Sequence, residues 1–523
     1  MHTILRSRAS AATIEAVSVA LLLTALLFFY RPAFYIAGSR MDEAVLLVFP
    51  ELLLHGKVPY RDFETFYGPA NLWILAAAFR FFGATVEIER TVGLTYRFAL
   101  FAALYFAVRR WGKAAAIGVV LIAAFALLPL GSVANAWIVA LALAVVSIAL
   151  MTKQLMALDD HSSAAAIAGL SAGVAVLFRV DLAPAIIASA ALLLWASKPK
   201  QRYAYGIGLV AGGSPLLISL FTAGLKNVME NIFLYPVIYT NAARRLPLFG
   251  RSSEIAIYAL VIAGAAALTL SLGALGVWKK RGDRESVSLL ALGCLGIFAV
   301  PQALQRADYF HAAMTAPVTI ALLPAVAAAA VKLSNKPALA SSFAVLATTA
   351  CFSALWSIAP QSTDIFSNIV HNQLALSEIP QCAARGGNRK FPLSSPDDAQ
   401  SVTKICSAIT QKAHAGERLF VGPRDLRRTN YNDVYFYYLL PQLTPASYFI
   451  EMNPLSANRP DSRLASDIAT ADWIILDSQL DSFHEANASE QLGSNAPMLV
   501  IHDRFTQVAQ LRQFSMFHRL GNL

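Results

Sequence analysis

Acidic side chains lie close together in residues 40–69, in a chain that otherwise uses few charges. Asp42 and Glu43 are adjacent, and Asp62 and Glu64 form a second carboxylate site after Arg61 in the same stretch. A carboxylate beside apolar segments can take the proton of an attacking hydroxyl group, which is the role of a general base. The alternative interpretation is a polar loop without a catalytic role. Because active sites concentrate ionisable groups in unusual surroundings, the clustering favours the catalytic interpretation.

Three further motifs place arginine at the ends of apolar runs. A guanidinium group can donate two parallel hydrogen bonds to phosphate oxygens, so these arginines predict contacts to a phosphate group. The motifs are Arg179-Val-Asp181, Arg244-Arg245 and Arg306-Ala-Asp308-Tyr-Phe-His311.

Each of these motifs also has a structural interpretation. Arg179 and Asp181 are two residues apart and could form an ion pair that caps a helix. His311 follows Asp308 by three residues, about one helical turn, where the carboxylate could orient its ring. The two adjacent arginines could instead bind lipid headgroups.

The composition is that of a membrane protein. Of 523 residues, 57% are hydrophobic and only 14% are charged, and the mean hydropathy is +0.54. Soluble globular proteins contain about 25% charged residues. The net charge of +10 comes with Lys and Arg clusters between apolar runs, which indicate membrane topology rather than nucleic-acid binding. We therefore expect membrane lipids, and no nucleic acid, as partners.

The basic clusters predict about 11 membrane crossings, with the N-terminus in the cytoplasm and the C-terminus outside it. The apolar runs at 45–54 and 70–82 are too short to cross and are predicted to lie along the interface. In this topology the carboxylate and arginine motifs all lie on the extracytoplasmic side. The predicted spans are residues 14–36, 92–108, 114–130, 134–151, 164–178, 182–196, 204–223, 254–278, 287–301, 312–331 and 338–358.

A change in composition predicts two domains, a transmembrane domain of residues 1–360 and an extracytoplasmic soluble domain of residues 361–523, called the tail below. Short apolar runs in the tail predict strands, and the polar stretches between them are compatible with helices, so an α/β fold is expected. The runs are residues 418–421, 473–476 and 498–501. Cys382 and Cys406 could form a disulfide outside the cytoplasm or remain two thiols.

Several tyrosines and an asparagine of the tail have two interpretations. Their rings and amide could stack on and hydrogen-bond a sugar polymer. Their helical spacing favours packing in the domain core instead. These residues are Tyr431, Asn432, Tyr435 and Tyr438.

Residues 40–83 resemble the first extracytoplasmic loop of the GT-C superfamily of integral-membrane glycosyltransferases. The matching features are Asp42-Glu43, the run His55-Gly-Lys-Val-Pro-Tyr-Arg-Asp-Phe63, Tyr67-Gly-Pro69 and Phe81-Phe-Gly83. The resemblance implies an inverting transfer of a sugar from a polyprenyl-phosphate donor to a glycan, lipid or protein of the cell envelope.

Carried over residue by residue, the resemblance makes Asp42 the general base and Glu43 its alternate. Asp62 matches the second acidic position, which orients the acceptor or helps to bind a cation, so a divalent cation is left open and no metal ligands are assigned. We expect three residues to orient the substrate, namely Tyr60, Asp181 and Asp308. The expected contacts to the donor phosphate are Arg61, Arg179, Arg244, Arg245, Arg306 and His311.

The tail resembles, more distantly, the C-terminal part of membrane proteins near the bacterial cell-wall arabinofuranosyltransferases. This resemblance implies a pentose such as arabinofuranose on the donor, and a location in the bacterial inner membrane. The segments that match these proteins are Phe420-Val-Gly-Pro-Arg-Asp-Leu-Arg-Arg428, Leu439-Leu-Pro441, Glu451-Met-Asn-Pro454 and Ala471-Asp-Trp473.

Two other functions remain open on the sequence. A flippase or transporter of a lipid-linked glycan is the alternative function, and a glycan-binding scaffold is a third.

Overall fold

The computed structural model describes residues 2–156, 162–250, 252–280, 283–374 and 382–521. Within these residues, eight helices are long and apolar enough to cross a membrane. The chain is therefore a multi-pass membrane protein. The eight candidate spans are Glu15–Tyr35, Val86–Trp111, Ala136–Met156, Pro199–Ala223, Ser253–Lys279, Arg284–Gln305, Tyr309–Leu333 and Pro337–Ile358.

The other three predicted spans are shorter helices. Lys113–Ala126 has 14 residues and Ser163–Phe178 has 16, and Val180–Trp195 is the third. A crossing needs about 20 apolar residues. Each predicted span thus corresponds to a helix, but length and composition support only eight of them as crossings. The number of crossings and the orientation in the membrane stay predictions.

The helices follow one another through the membrane part and continue, shorter, into the tail. A π-helix, Glu230–Tyr239, lies between α11 and α12. In chain order the α-helices are α1 (His2–Tyr30), α2 (Ala44–Leu54), α3 (Ala70–Phe82), α4 (Val86–Val108), α5 (Lys113–Ala126), α6 (Ala136–Met156), α7 (Ser163–Phe178), α8 (Ala183–Trp195), α9 (Pro199–Gly213), α10 (Leu216–Ala223), α11 (Leu225–Met229), α12 (Asn241–Arg244), α13 (Ser253–Lys279), α14 (Arg284–Gln305), α15 (Tyr309–Thr315), α16 (Leu323–Leu333), α17 (Ala340–Ile358), α18 (Pro360–Leu374), α19 (Pro396–Lys412), α20 (Tyr435–Leu439), α21 (Leu464–Ile468) and α22 (Ala496–Arg504).

Glycine allows α7 and α9 to pack with their backbones in contact. A Cβ atom added at Gly169 of α7 would lie 2.0 Å from the Tyr205 carbonyl oxygen. A Cβ atom at Gly208 of α9 would lie 2.0 Å from the Ala166 carbonyl oxygen. Small residues at helix interfaces permit this close approach in membrane proteins.

The segment Gly169-Leu-Ser-Ala-Gly173 has the spacing of a hydrolase nucleophile elbow, but its position in the fold is different. Such a serine lies at a sharp turn between a strand and a helix, whereas Ser171 lies inside α7. Its hydroxyl donates to the carbonyl oxygen of Ile167 at 2.9 Å. The motif therefore packs helices and does not present a nucleophile.

The stretch between α1 and α4 holds the two short helices that the sequence predicts at the interface, α2 with 11 residues and α3 with 13. The connection between them packs tightly on the end of α7, since a Cβ atom at Gly68 would lie 1.9 Å from the Leu177 carbonyl oxygen. This contact brings residues 40–69 beside Arg179, which directly follows α7.

The tail contains a mixed five-stranded sheet with helices around it, so the predicted α/β fold is confirmed. The strand order is β4-β3-β5-β7-β6. β3 runs parallel to β4 and β5, and β7 runs antiparallel to β5 and β6. The strands are β1 (Ala383–Gly386), β2 (Arg389–Pro392), β3 (Arg418–Pro423), β4 (Thr444–Pro445), β5 (Trp473–Asp477), β6 (Phe505–Leu511) and β7 (Phe514–Arg519), of which β1 and β2 form a separate hairpin.

One strand prediction in the tail is wrong. The runs at 418–421 and 473–476 are in β3 and β5, but residues 498–501 belong to α22. A short apolar run fits a strand or a buried helix face equally well, and Pro497 favours the first turn of a helix. Cys382 and Cys406 are both free thiols.

Ion pairs join the tail to the loop that precedes α2 and to α2 itself. Arg40 contacts Asp398 of α19 at 2.5 Å. Arg389 of β2 makes two hydrogen bonds to Glu51 of α2, at 2.5 and 2.6 Å. These contacts fix the tail over the membrane part, while the boundary at residue 360 stays a prediction.

Candidate active site

A cavity of about 530 Å³ lies between the membrane part and the tail. It is lined on one side by the stretch after α1 and by residues at the ends of α7 and α14, and on the other by loops of the tail. The charged or titratable side chains in its lining are Asp42, Arg90, Arg179, Arg244, Arg306, Asp308, His311, Tyr67, Tyr431, Glu451 and Glu485.

Asp42 lies in the turn before α2, exposed to the cavity. Its carboxylate accepts a hydrogen bond from the Ser39 hydroxyl at 3.1 Å, and its own amide donates to the Ser39 hydroxyl oxygen at 3.1 Å. Within the described part of the chain, Asp42 forms no ion pair. A carboxylate placed in this way is oriented by the turn and remains free to accept a proton.

Glu43, the adjacent residue, faces the opposite way. Its carboxylate is completely buried and pairs with Arg90 of α4 at 2.6 and 3.0 Å. Arg90 also donates to the Phe34 carbonyl oxygen at 2.5 Å. The two acidic neighbours therefore have different surroundings, and only Asp42 lines the cavity.

Besides Arg90, two of the cavity arginines already pair with carboxylates. Arg179 donates two hydrogen bonds to Asp181, at 2.8 and 2.6 Å, and its guanidinium lies over the rings of Tyr67 and Trp137. This is the ion pair that the structural interpretation of the Arg179-Val-Asp181 motif predicts. Asp181 is half exposed and is not part of the cavity lining.

Arg306 connects the two sides of the cavity. It contacts Glu485 of the tail at 2.5 and 3.2 Å and Asp308 at 3.1 Å. It also donates to the Arg244 carbonyl oxygen at 3.0 Å. The charge of Arg306 is thus balanced by one carboxylate from each side.

Arg244 is different from the other cavity arginines. Its guanidinium lies 5.7 Å from the ring centre of Phe66 and forms no ion pair within the described residues. The charge of Arg244 is therefore available to an anion in the cavity. Arg245 is exposed, donates to the Asn241 side-chain oxygen at 2.9 Å and does not line the cavity.

Asp308 caps α15 and holds His311. One carboxylate oxygen accepts from the His311 amide at 2.8 Å and lies 2.8 Å from its ring Nδ1. Burial alone would raise the pKa of the Asp308 carboxyl, but the hydrogen bonds and charges of His311 and Arg306 outweigh burial and lower this pKa. The ionised carboxylate then accepts the Nδ1 proton, so Nε2 is the ring atom that can accept one.

Three expected site residues lie elsewhere. Arg61 and Asp62 pair with each other at 3.0 and 2.9 Å and line a separate cavity of about 410 Å³. The Tyr60 side chain is buried, and its hydroxyl donates to the Tyr67 carbonyl oxygen at 2.8 Å. None of these residues lines the cavity of about 530 Å³, and neither does Glu43 or Arg245. Their positions therefore do not support the roles predicted for them.

Two acidic groups for which the sequence predicts no role lie at this side of the cavity, Glu451 of the tail and Glu64 of the membrane part. Glu451 lines the cavity, and Glu64 lies behind it, with the Asn453 amide donating to both carboxylates at 3.0 and 3.1 Å. Burial raises the pKa of Glu451 to about 7 and the pKa of Glu64 to about 8. Among the described residues, no group of three or more His, Cys, Asp or Glu is arranged to hold a metal ion.

The architecture is similar to that of a solved membrane protein over nearly the whole chain. ArnT from Cupriavidus metallidurans, in its crystal structure bound to undecaprenyl phosphate, matches with a TM-score of 0.54 and 11% identity, over 96% of this chain and 98% of that one. The chain has the ArnT fold. The predicted fold class, a polytopic helical membrane protein with a C-terminal α/β domain, is confirmed as an ArnT-like fold.

Apo ArnT from the same organism gives a TM-score of 0.45 and 12% identity, over 97% of this chain and 98% of that one. No family model matches the chain, and no curated protein does. The relationship to ArnT is thus one of fold.

Within this ArnT-like fold, some cavity residues without a predicted role carry partial signals in the sequence. Glu451 is part of the segment Glu451-Met-Asn-Pro454, which the tail resemblance includes, but nothing in that segment indicates that it reaches residues 40–69. Tyr431 lines the cavity, whereas Tyr435 and Tyr438 are buried in the core, as their spacing favours. Arg90 carries no local signal, since its partner Glu43 is 47 residues away.

Proposed function

We propose that this protein is a membrane glycosyltransferase that transfers a sugar from a polyprenyl-phosphate donor to an acceptor of the cell envelope. The main support is one observation, a cavity whose lining includes a carboxylate, Asp42, and a guanidinium, Arg244, that form no ion pair within the described residues. The ArnT-like fold supports the same class of donor, because the matching ArnT structure holds undecaprenyl phosphate.

Asp42 is the general base in this proposal. It accepts the proton of an acceptor hydroxyl group as that oxygen forms a bond to the anomeric carbon of the donor sugar. The bond between this carbon and the phosphate oxygen breaks, and polyprenyl phosphate leaves with the bonding electron pair. A single displacement from the opposite face inverts the configuration at the anomeric carbon.

Arg244 stabilises the negative charge that develops on the leaving phosphate, because it forms no ion pair with a carboxylate of the described residues. Arg179 borders the same space, and the N–H groups that it does not donate to Asp181 add weaker contacts. Arg306 contributes its positive charge alone, because its N–H groups already donate to Asp308, Glu485, Tyr431 and the Arg244 carbonyl oxygen. His311 borders the site and is oriented by Asp308. Because Asp181 and Asp308 hold these side chains, they act as positioning residues.

The finer assignments follow from the resemblances. A pentose such as arabinofuranose is the proposed sugar, and the inner membrane of a bacterium is the proposed location, with the cavity and the tail on the extracytoplasmic side. The support for this side is the pattern of basic clusters between the predicted spans of the sequence.

The test is the substitution Asp42→Asn in the purified full chain. We expect transfer from a synthetic polyprenyl-phosphate sugar in detergent to fall by about 10²- to 10⁴-fold, the usual contribution of a general base. Binding of undecaprenyl phosphate should remain, since the phosphate contacts are intact. Asp461→Asn is the matched control, because Asp461 is an exposed residue of the tail outside the cavity lining.

Two outcomes would contradict this proposal. Full transfer by the Asp42→Asn variant would remove Asp42 as the base. Failure of the unmodified protein to consume any polyprenyl-phosphate sugar in detergent, where no transport can be scored, would favour the flippase or transporter function.

A further inference from the structure

The tail places hydrogen-bond acceptors in the cavity that the transfer step above does not use. Glu451 is only 6% exposed, and its Oε1 has no hydrogen-bond partner within the described residues. The side-chain oxygen of Asn430 is also buried without a partner there. Both residues line the cavity. Buried acceptors are normally satisfied, so a ligand that donates hydrogen bonds would be stabilised at this side of the cavity.

The orientation of Glu451 is fixed from behind. Asn453 donates to its Oε2 at 3.0 Å, and the same amide donates to Glu64 at 3.1 Å. The Ser456 hydroxyl donates to the other oxygen of Glu64. Because Oε2 is held by Asn453, Oε1 is the atom of Glu451 that is left for a ligand.

Glu451 lines the same cavity as Asp42 and Arg244. The pKa of Glu451 is raised to about 7, mainly by burial, while the Asn453 hydrogen bond and the charge of Arg244 lower it and the charge of Asp42 raises it. The acceptor therefore shares one space with the proposed base and the proposed phosphate ligand. The sugar of the donor is bonded directly to the phosphate, so it would occupy the space between them.

The chemistry of the ligand follows from the atoms that face it. Two oxygen acceptors require donor groups, and a sugar carries several hydroxyl groups that can donate. A metal ion is a poorer match, since among the described residues no cluster of three or more acidic, His or Cys side chains is arranged around such an ion.

We propose that Glu451 and Asn430 form a subsite for the hydroxyl groups of the donor sugar, with Glu451 as its specificity-determining residue. This inference rests on the proposed polyprenyl-phosphate donor. It gives the tail a direct part in donor recognition, whereas the phosphate is held by the membrane part.

The variant Glu451→Gln tests the subsite without changing its shape. Its side-chain carbonyl must pair with the Asn453 amide, so its NH₂ group faces the cavity and an acceptor is replaced by a donor. Affinities of the purified full chain are measured for undecaprenyl phosphate and for three polyprenyl-phosphate sugars that carry arabinofuranose, mannose or glucose. We expect the variant to bind the preferred sugar lipid about tenfold more weakly, with the affinity for undecaprenyl phosphate unchanged.

Two further variants complete the experiment. Asn430→Ala should reduce the same preference for a sugar-bearing lipid, because it removes the second acceptor. Glu417→Gln is the matched control and should leave both affinities unchanged, since Glu417 accepts from the Trp473 indole at 2.7 Å and does not line the cavity.

The outcomes separate this subsite from the proposed function. Equal losses for undecaprenyl phosphate and the sugar lipids would show a structural role of Glu451 and overturn the subsite. An unmodified protein that binds undecaprenyl phosphate but prefers none of the three sugar lipids would also overturn it, and leave the phosphate site standing. Binding of no lipid at all would refute the polyprenyl-phosphate donor itself.

Discussion

The two sides of the cavity differ in the kind of polar group they present. The membrane part contributes Asp42, Arg244 and a histidine held by a carboxylate, whereas the tail contributes Glu451 and Asn430 with unpaired oxygen atoms. Cations suit a phosphate, and neutral or weakly charged acceptors suit hydroxyl groups. A lipid phosphate and the sugar bonded to it would therefore be recognised by different parts of one chain.

Ion pairs hold the membrane part and the tail in a fixed relative position. Arg306 contacts Glu485, Arg40 contacts Asp398, and Arg389 contacts Glu51. In each pair the arginine and the carboxylate come from different sides of the boundary predicted at residue 360. A tail that is fixed in this way can define the width of the cavity rather than only cover it.

The same contrast occurs within two adjacent residues on the membrane side. Glu43 is buried and paired with Arg90, whereas Asp42 is exposed and unpaired within the described residues. One acidic residue therefore stabilises the fold, and its neighbour is free for chemistry.

The largest expected effect tests this contrast by stability. Removing one partner of a buried ion pair leaves an uncompensated charge and costs about 3–5 kcal/mol. We therefore expect Glu43→Ala to lower the unfolding free energy in detergent by about this amount, and Asp42→Ala to change it by less than about 0.5 kcal/mol. Thermal unfolding of both variants in the same detergent measures the difference. Equal losses would show that the two carboxylates do not have separate roles.

The next effect concerns two adjacent arginines. Arg244→Ala removes the unpaired cation and should weaken binding of undecaprenyl phosphate by about 10- to 100-fold, equivalent to about 1.5–3 kcal/mol for a charged hydrogen bond. Arg245→Ala is the matched variant. The sequence alone predicts a similar loss for it, whereas its position outside the cavity lining predicts a change within about twofold.

The measurement is a lipid titration of each purified variant. Weaker binding in both variants would show that the arginine pair acts as a general headgroup site. Unchanged binding in the Arg244→Ala variant would remove this residue from the phosphate site.

The membrane architecture could be predicted well because it depends on local patterns. Apolar length and basic clusters predict helices at each expected span, and the resemblance of residues 40–83 predicts the fold class. Strands β3 and β5 also have a local signal, a short apolar run. A short apolar run does not always predict a strand correctly, since residues 498–501 form such a run and lie in α22.

The site could be predicted only in part because its remaining residues meet through tertiary contacts. Charge and position indicated Asp42 and Arg244, but not that Glu43 would turn towards Arg90. Glu64 and Asn453 are in contact although 389 residues separate them. No spacing rule relates positions so far apart, so the sequence shows Glu64 as an acidic residue of the stretch 40–69 but not its place behind Glu451.

The smallest expected effect tests the buried acid behind the sugar subsite. Burial raises the pKa of Glu64 from 4.5 to about 8, despite hydrogen bonds from Ser456 and Asn453. Between these two pH values the unfolded chain releases the proton while the folded chain retains it. The stability that this group contributes is therefore complete below about pH 4.5 and is lost as the pH rises towards about 8.

Glu64→Gln removes this titration and keeps the size of the side chain. Unmodified protein should lose on the order of 1 kcal/mol more unfolding free energy than the variant between about pH 5 and about pH 8, a fraction of the full linkage because the unfolded chain in detergent stays compact. Thermal unfolding at the two pH values measures this difference, with Glu417→Gln as the control that should follow the unmodified protein. A variant whose stability falls with pH as steeply as that of the unmodified protein would show that Glu64 is already ionised in the fold. A full negative charge would then lie directly behind Glu451, and the contrast between a charged phosphate site and an uncharged, hydrogen-bonding sugar subsite would be lost.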